Sequence, residues 1–176
     1  MSLTNISSSQ WNPESGRYRI YEQESLVGRG DVLWAQASSA LMRWKVKTRS
    51  GFTIHPESVV SLGSRPNLSV TIGRVTIQEP IEVCDVLVST DRIGYAYKTL
   101  AGHPIDGEES FILQKRGAQV VLIIRSLSAP SGEARWRRRF ALLSMVQKAV
   151  RLRYRQALKP EQELSRLGRV LRSSEG

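Results

Sequence analysis

The sequence predicts an α+β protein in which a curved antiparallel sheet grips a long C-terminal helix, with one shorter helix near the N-terminus. Three features of the 176-residue chain lead to this fold class. One strand and one helix come first, a series of short apolar segments follows, and one long amphipathic segment comes last. Evenly spaced strands with short links form antiparallel meanders. A sheet that curves around the last helix buries the apolar faces of both elements.

The N-terminal part of the chain predicts a strand followed by a helix. Residues 17–28 alternate between polar and apolar side chains, which indicates a half-buried strand. Asp31 follows a glycine-containing turn, and an aspartate there can accept hydrogen bonds from the free amides of a first helical turn. The predicted helix covers 32–46, because apolar residues recur along one face at spacings of three and four. Those residues are Leu33, Ala37, Ala40, Leu41 and Trp44.

The middle of the chain predicts a run of antiparallel strands joined by short links. Several of these segments are rich in β-branched and aromatic residues, and loops such as "AGHPIDG" separate them. Pro80 has no amide to donate to a sheet, so we expect a turn or bulge there. The predicted strands cover residues 50–54, 68–78, 81–90, 93–100, 108–116 and 119–128.

The long C-terminal segment predicts an amphipathic helix over 134–158, about seven turns in length. A wide apolar stripe runs along it from Trp136 to Tyr154, and Pro160 ends it. The helix and the residues after it are strongly basic: from Gly132 onward twelve Arg or Lys against four Glu leave +8 of the formal net charge of +10. The basic face opposite the stripe consists of Arg137, Lys148, Arg151 and Arg155.

Composition limits the class of protein and its compartment. A hydrophobic fraction of 40% is typical of globular proteins. Cys84 is the one cysteine, so an internal disulfide is impossible and a reducing compartment is favoured. No secretory signal pattern opens the sequence, and the longest apolar run, "VVLII", is too short to span a bilayer. We therefore expect a cytoplasmic protein that is not transmembrane, with a single domain over 17–158, a loose N-terminus over 1–16 and a basic tail over 159–176.

The stretch "GYAYKTLAGHPIDGEESF", residues 94–111, places a His, an Asp and two Glu close together. It resembles the signature Gly-Phe-x-Tyr-Gly-Thr-Leu-x-x-His-x-x-x-Gly-Glu-Glu-x-Phe of uncharacterised protein family 0548, also catalogued as domain-of-unknown-function family nineteen-ninety. Weaker similarity extends over roughly residues 17–158. Lys98 departs from the signature, where Gly is usual, and Ala129 replaces a usual Arg. The matching residues are Gly94, Tyr97, Thr99, Leu100, His103, Gly107, Glu108, Glu109 and Phe111.

The resemblance supplies a fold and little chemistry, because the family has no established activity. Its element order looks like the helix-grip fold of START-type lipid-binding proteins, polyketide cyclases and the birch-pollen-allergen group. Those proteins usually carry two helices after the first strand, whereas this sequence predicts one. If the family's residues at Lys98 or Ala129 contact a ligand, the ligand of this chain differs.

Three interpretations are open for the signature, and they make His103, Glu108 and Glu109 the candidate catalytic residues. In the first, the loop is structural, and His103 with one Glu bonds to turn amides. In the second, one Glu faces a cavity and orients a ligand or acts as a general acid or base. In the third, the cluster binds a metal, but two histidines and one cysteine in the chain are few for such a site. Side chains alternate along a strand, so the two Glu should point to opposite faces.

We expect the function to be binding of a small apolar or amphipathic ligand in a cavity between the sheet and the C-terminal helix, without metal or cofactor. The alternative is binding to nucleic acid or an anionic surface through the basic face of the last helix. A third hypothesis is an enzyme that uses His103 and a Glu. The residues expected to line the ligand site are Trp34, Tyr95, Tyr97, Glu109, Phe111 and Arg125.

Overall fold

The computed structural model describes residues 2–14, 16–56, 58–132, 136 and 150–160, and these form a mostly antiparallel, curved seven-stranded sheet with few helices. In chain order the elements are β1 (Arg19–Arg29), α1 (Asp31–Met42), α2 (Lys45–Thr48), β2 (Phe52–His55), β3 (Asn67–Ile72), β4 (Val75–Val88), β5 (Arg92–Thr99), β6 (Ile105–Arg116) and β7 (Gln119–Pro130).

The strands from β2 to β7 lie beside one another in chain order, so the predicted antiparallel meander is confirmed. The first strand joins the opposite edge, because β1 pairs with β7 and the sheet order is β1-β7-β6-β5-β4-β3-β2. The two helices that follow β1 therefore carry the chain from one edge of the sheet to the other. This path leaves one face of the sheet to be covered by helices.

The predicted strand over 68–78 and the turn at Pro80 are both wrong. The turn lies at Gly73, which adopts a left-handed φ of 61° between β3 and β4. Pro80 lies inside β4, opposite Asn67 of β3. Its missing amide is harmless because the β4–β5 ladder begins one residue later, and the Pro80 carbonyl accepts a hydrogen bond from the Leu100 amide at 2.9 Å.

The predicted single helix over 32–46 is in fact two helices. The chain turns at Trp44, whose φ of 60° and ψ of 17° are left-handed, and α2 follows as a single turn. A left-handed conformation costs a residue with a side chain roughly 1–2 kcal/mol. Burial of the Trp44 indole offsets that cost, since its ring is 2% exposed and packs 4.8 Å from the Tyr95 ring. The chain thus carries two helices between β1 and β2, where the sequence predicted one.

The concave face of the sheet carries the main hydrophobic core. Apolar residues from β4 to β7 meet α1, α2 and the C-terminal segment there. Only the end of the predicted C-terminal helix falls within the described residues, where 150–154 are helical and turns follow from 155 to 158. Val150 and Tyr154 are buried, as the apolar stripe predicts. The rest of the helix prediction lies outside the described residues, apart from a helical position at Trp136.

The convex face is covered by the N-terminal residues 2–12, which we name the N-terminal strap. The expectation of a loose N-terminus is wrong for these residues, because Ile6 is 1% exposed and Thr4 is fully buried. Ile6 packs on a second, smaller apolar cluster beneath the strap. That cluster consists of Ala96, Ile112, Val121 and Ile123, with Cys84 and Leu87 at its edge. The polar sequence of the strap hid this role, because its packing depends on backbone hydrogen bonds to the sheet.

Candidate functional site

The hairpin of β5 and β6 places the signature residues in the middle of the sheet. Tyr95 lies opposite Phe111, and Tyr97 lies opposite Glu109. All four side chains point to the concave face. The three aromatic side chains join the core there. Among the described residues of β5 and β6, Glu109 is the one carboxylate on that face. The alternation of side chains along β5 and β6 therefore gathers the aromatic and acidic parts of the signature.

Glu109 is held by a buried cation that the sequence did not reveal. Lys47 of α2 is 2% exposed, and its Nζ lies 2.9 Å from Glu109 Oε2. The same Nζ donates to the Tyr154 hydroxyl at 2.6 Å, and the Tyr97 hydroxyl donates to Glu109 Oε2. One ammonium, one carboxylate and two phenols thus form a hydrogen-bonded network between the sheet, α2 and the C-terminal segment.

Four aromatic rings surround the Lys47 ammonium. A cation near the face of an aromatic ring is attracted by the ring's quadrupole within about 6 Å of its centre. Burial of the charge is therefore compensated by an ion pair and by several ring faces at once. The distances from Nζ to the ring centres are 4.6 Å for Phe52, 4.9 Å for Tyr97, 4.9 Å for Tyr154 and 5.5 Å for Phe111.

Glu108 points to the opposite face, as the alternation rule predicts. Its carboxylate accepts hydrogen bonds from the Leu3 amide at 2.9 Å and from the Thr4 amide at 2.7 Å, both in the N-terminal strap. Burial and the nearby Glu108 carboxylate raise the pKa of the neighbouring Cys84 thiol to about 12. The adjacent Glu108 and Glu109 therefore fix two different layers on the two sides of β6, and they do not form a catalytic pair.

Arg125 lies on the convex face, away from the other predicted ligand residues. It is fully buried under the strap and donates hydrogen bonds to the carbonyls of Asn5 and Ser8 at 2.7 and 3.0 Å. Its Nε also forms an ion pair with Glu22 of β1 at 2.9 Å. The expectation that Arg125 lines the concave cavity is contradicted by this geometry, since each of these partners lies on the strap or on a neighbouring strand.

Two glycines of the signature are explained by close contacts between strands. A Cβ atom on Gly107 would lie 1.8 Å from the Leu127 carbonyl oxygen, and Gly107 has a φ of 150°. A Cβ atom on Gly94 would lie 2.7 Å from the Phe111 carbonyl oxygen. Both distances are far below van der Waals contact, and the obstacle is backbone that cannot rotate away. These glycines therefore allow β6 to lie close to β5 and to β7, and they need no ligand to account for them.

His103 closes the loop between β5 and β6. The Ile105 amide donates to His103 Nδ1 at 3.0 Å, and Nε2 faces Glu79 Oε2 of β4 at 3.8 Å. Burial raises the pKa of the Glu79 carboxyl, but the nearby His103 imidazole and the charge of Lys47 outweigh it and hold that pKa below its usual value. The partner of His103 is thus Glu79, and neither Glu of the signature.

A hollow of about 80 Å³ lies between the concave face and the C-terminal segment, at the loop of the signature hairpin. Space of this size suits a molecule of roughly five to eight non-hydrogen atoms, at about 10–15 Å³ for each water-sized atom. Most of the lining surface is apolar, and several polar side chains also line the hollow. Its polar residues include Lys47, Glu79, Tyr97, His103, Glu109 and Tyr154, and its apolar residues include Phe52, Val70, Ile77, Leu127 and Val150.

The predicted ligand residues divide into four groups. Tyr97 and Glu109 line the hollow, whereas Tyr95 and Phe111 lie in the core beside it. Trp34 of α1 is half-buried at the edge of the core and does not line the hollow. Arg125, as described, lies on the other face. Sequence reasoning missed Lys47, Glu79 and Tyr154, and the one available signal was a lysine at the end of an otherwise apolar helical face.

The described part of the basic helix face lies against the sheet. Arg151 donates to the Ser126 hydroxyl at 2.7 Å, and its guanidinium carbon lies 3.8 Å from the centre of the Tyr21 ring. Arg155 donates to the Ser25 hydroxyl at 3.3 Å. The other two predicted members, Arg137 and Lys148, lie outside the described residues. Nucleic-acid binding through this face is therefore not supported by the contacts of its described half.

Two departures from the family signature do not touch the hollow. Lys98 is about half exposed and forms an ion pair with Glu82 of β4 at 2.9 Å. Ala129 is buried in β7, opposite Asp106. Neither residue lines the hollow.

Within the described ranges no group of three or more His, Cys, Asp or Glu is placed to hold a metal ion, and no helix there is long and apolar enough to cross a bilayer.

The curved sheet, with a large core on its concave face, is similar to solved structures of helix-grip-like proteins. A hypothetical protein from Helicobacter pylori matches it with a TM-score of 0.63 at 8% identity, over 89% of this chain and 97% of that one. Ara h 8.0201 matches with a TM-score of 0.50 at 10% identity, over 80% and 97%. Major latex-like protein 151 from Panax ginseng has a TM-score of 0.47 at 10% identity, over 82% and 100%. At such identities the likeness shows the fold alone.

The sequence itself identifies the family. The profile of the Domain of unknown function (DUF1990) matches residues 4–157, which is most of the chain. The chain therefore belongs to the DUF1990 family, and the domain-of-unknown-function part of the predicted resemblance is confirmed. A search of the curated proteins finds no match.

Proposed function

We propose that the protein binds a small apolar or amphipathic molecule in the hollow between the concave face and the C-terminal segment. The observation that carries the proposal is the lining, whose surface is mostly apolar and which also includes the polar side chains of Lys47, Glu79 and Tyr154. Ligand sites are commonly built in this way. The helix-grip-like fold is compatible with such a site.

The size of the hollow limits the ligand. A volume of about 80 Å³ is well below the roughly 300–1,000 Å³ of pockets that enclose drug-sized ligands. The proposed ligand is therefore a small molecule or one end of a longer amphipathic one. Its apolar part lies against Val70, Ile77 and Val150, and its polar part lies toward Tyr154 and Glu79.

Titration with benzene, followed by the amide resonances of the protein, tests the proposal. Benzene is a small apolar probe that enters dry protein cavities. We expect shifts to concentrate at the residues of the hollow, among them Thr99 and Ile105. In a Val70→Phe variant the larger side chain fills part of the hollow, and the affinity should fall at least about tenfold, or 1.4 kcal/mol. Native mass spectrometry of the purified protein then identifies a retained natural ligand.

Val75→Phe is the matched control, because Val75 lies on the same hairpin but is 58% exposed. Its affinity for benzene should equal that of the unmodified protein. Shifts spread evenly over the surface, or equal losses in Val70→Phe and Val75→Phe, would contradict binding in the hollow.

Other sequence-based expectations remain predictions. These are the cytoplasmic location, the single domain over 17–158 with a basic tail, and the identity of the family with uncharacterised protein family 0548. An enzyme that uses His103 and a Glu also stays a hypothesis, in which Glu79 replaces the Glu of the signature as the partner of His103.

A further inference from the structure

The Tyr154 hydroxyl holds a proton that no residue of the network accepts. An ammonium group can only donate hydrogen bonds, so the 2.6 Å contact with Lys47 Nζ uses the Tyr154 oxygen as an acceptor. The phenolic proton therefore remains to be donated. No acceptor for it is found among the residues that the structure describes, and Tyr154 lines the hollow.

The Tyr97 hydroxyl and the Lys47 ammonium both donate to acceptors within the network. The Tyr97 hydroxyl donates to Glu109 Oε2, and Lys47 donates to the same oxygen at 2.9 Å. Tyr154 is therefore the hydrogen-bond donor of this cluster that a ligand can use.

The charges around the hollow favour a neutral acceptor. Lys47 is already paired with Glu109, and the Glu79 carboxylate adds a further negative charge to the lining. An anionic ligand would therefore meet two carboxylates and one neutralised cation. A cationic ligand would find the ring faces of the aromatic cluster occupied by Lys47 itself. A neutral oxygen acceptor in an apolar frame fits both constraints.

Building on the proposed binding function, we infer that the hollow takes a neutral carbonyl compound whose oxygen accepts a hydrogen bond from Tyr154. The apolar walls hold the carbon frame, and the Lys47–Tyr154 pair fixes the orientation of the carbonyl group. This hydrogen bond draws electron density of the carbonyl toward its oxygen. A hydrocarbon of equal shape cannot accept it, so Tyr154 selects ketones over hydrocarbons.

A pair of matched probes tests the inference. Cyclopentanone and methylenecyclopentane have nearly the same shape and size, but only the ketone can accept a strong hydrogen bond. Dissociation constants for both are measured by amide resonances in the full chain. In a Tyr154→Phe variant, the ratio of the hydrocarbon constant to the ketone constant should fall by about three- to tenfold, the value of one neutral hydrogen bond. Use of the ratio cancels the different solubilities of the two probes in water.

Tyr21→Phe is the control. The ring of Tyr21 packs against the Arg151 guanidinium, and Tyr21 does not line the hollow. Its ratio should equal that of the unmodified protein. An unchanged ratio in Tyr154→Phe, with both probes still bound, would overturn the inference and leave the proposed function standing. Failure of both probes and of benzene to bind would overturn the proposed function together with the inference.

A second measurement does not depend on any variant. Carbonyl carbons move to higher chemical shift when their oxygen accepts a hydrogen bond. Cyclopentanone labelled with carbon-13 at its carbonyl should therefore shift downfield when it binds to the unmodified protein, relative to the free ketone in an apolar solvent. A bound shift equal to the value in that solvent would contradict a hydrogen bond from Tyr154.

Discussion

At the scale of single residues, the candidate site depends on a charge buried among aromatic rings. A lysine is rarely buried to the extent of Lys47, which is 2% exposed. Its charge is stabilised there by Glu109 and by the four surrounding rings. A buried ion pair contributes little net stability, but removal of one partner leaves an uncompensated charge. The pair therefore couples α2 to β6 much more strongly than its net energy suggests.

Lys47→Met should lower the free energy of unfolding by about 3–5 kcal/mol, because Glu109 is left buried without its cation. The double variant Lys47→Met/Glu109→Gln should recover most of that loss, since no charge then remains unpaired. Urea unfolding at neutral pH measures both, with the m-value as a check that the transition stays two-state.

The matched control is Lys98→Met, which breaks the half-exposed pair with Glu82. We expect a loss of at most about 1 kcal/mol for this surface pair. A Lys47→Met protein as stable as Lys98→Met would show that the buried pair is not the link between α2 and the sheet.

At the scale of elements, the sequence predicted the order of strands and helices well and their layers incompletely. The meander and the opposed Glu108 and Glu109 follow from periodicity, which is a local property of the chain. The strap was missed because its partners, Glu108 and Arg125, are about a hundred residues or more away in sequence. The turn at Gly73 was missed for a local reason: a lone glycine is a weaker signal than a proline.

The strap depends on Glu108, whose carboxylate accepts two backbone amides and the Thr4 hydroxyl. Glu108→Gln should therefore cost about 2 kcal/mol, the value of hydrogen bonds to a charged group. The amides of Leu3 and Thr4 should exchange faster with solvent, while amides of β6 near Glu109 keep their protection. Hydrogen exchange resolved by residue measures the two effects separately.

Glu24→Gln is the control, because Glu24 is about half exposed and pairs with Arg116 at the surface. It should change neither the strap amides nor the stability by more than about 1 kcal/mol. Unchanged protection of Leu3 and Thr4 in Glu108→Gln would mean that the apolar contact of Ile6 alone holds the strap.

At the scale of the whole molecule, the sheet is a central layer with a different covering on each face, and β6 contacts both coverings. Its concave side meets helices and aromatic rings, and its convex side meets the strap. The predicted fold class included the covering of the concave face, because the apolar face of an amphipathic helix can be identified from the spacing of its residues. It missed the second, whose attachment is largely made by backbone groups that carry no sequence pattern.

Buried ionisable groups should give the molecule a stability that declines on both sides of neutral pH. The pKa of Glu79 is lowered from its ordinary value of 4.5, so its contribution is fully present above that pH and is lost as pH falls through the lower, folded value. Burial raises the pKa of the Tyr97 and Tyr154 phenols well above 10. Their contribution is fully present below pH 10 and is lost as pH rises through the raised values.

Urea midpoints between pH 2.5 and pH 11 check this dependence. We expect the urea midpoint to be constant from about pH 5 to pH 9. Below this range it should fall because the unfolded state binds more protons than the folded state, and above it because the unfolded state loses protons first. Glu79→Gln should make the acid limb shallower and leave the alkaline limb unchanged, whereas Tyr154→Phe should do the reverse. A midpoint that stays constant from pH 3 to pH 7 would contradict the folded charge state of Glu79. If Glu79→Gln kept the full acid limb, the cause of that limb would lie in the general repulsion of a chain whose net charge is already +10 at neutral pH.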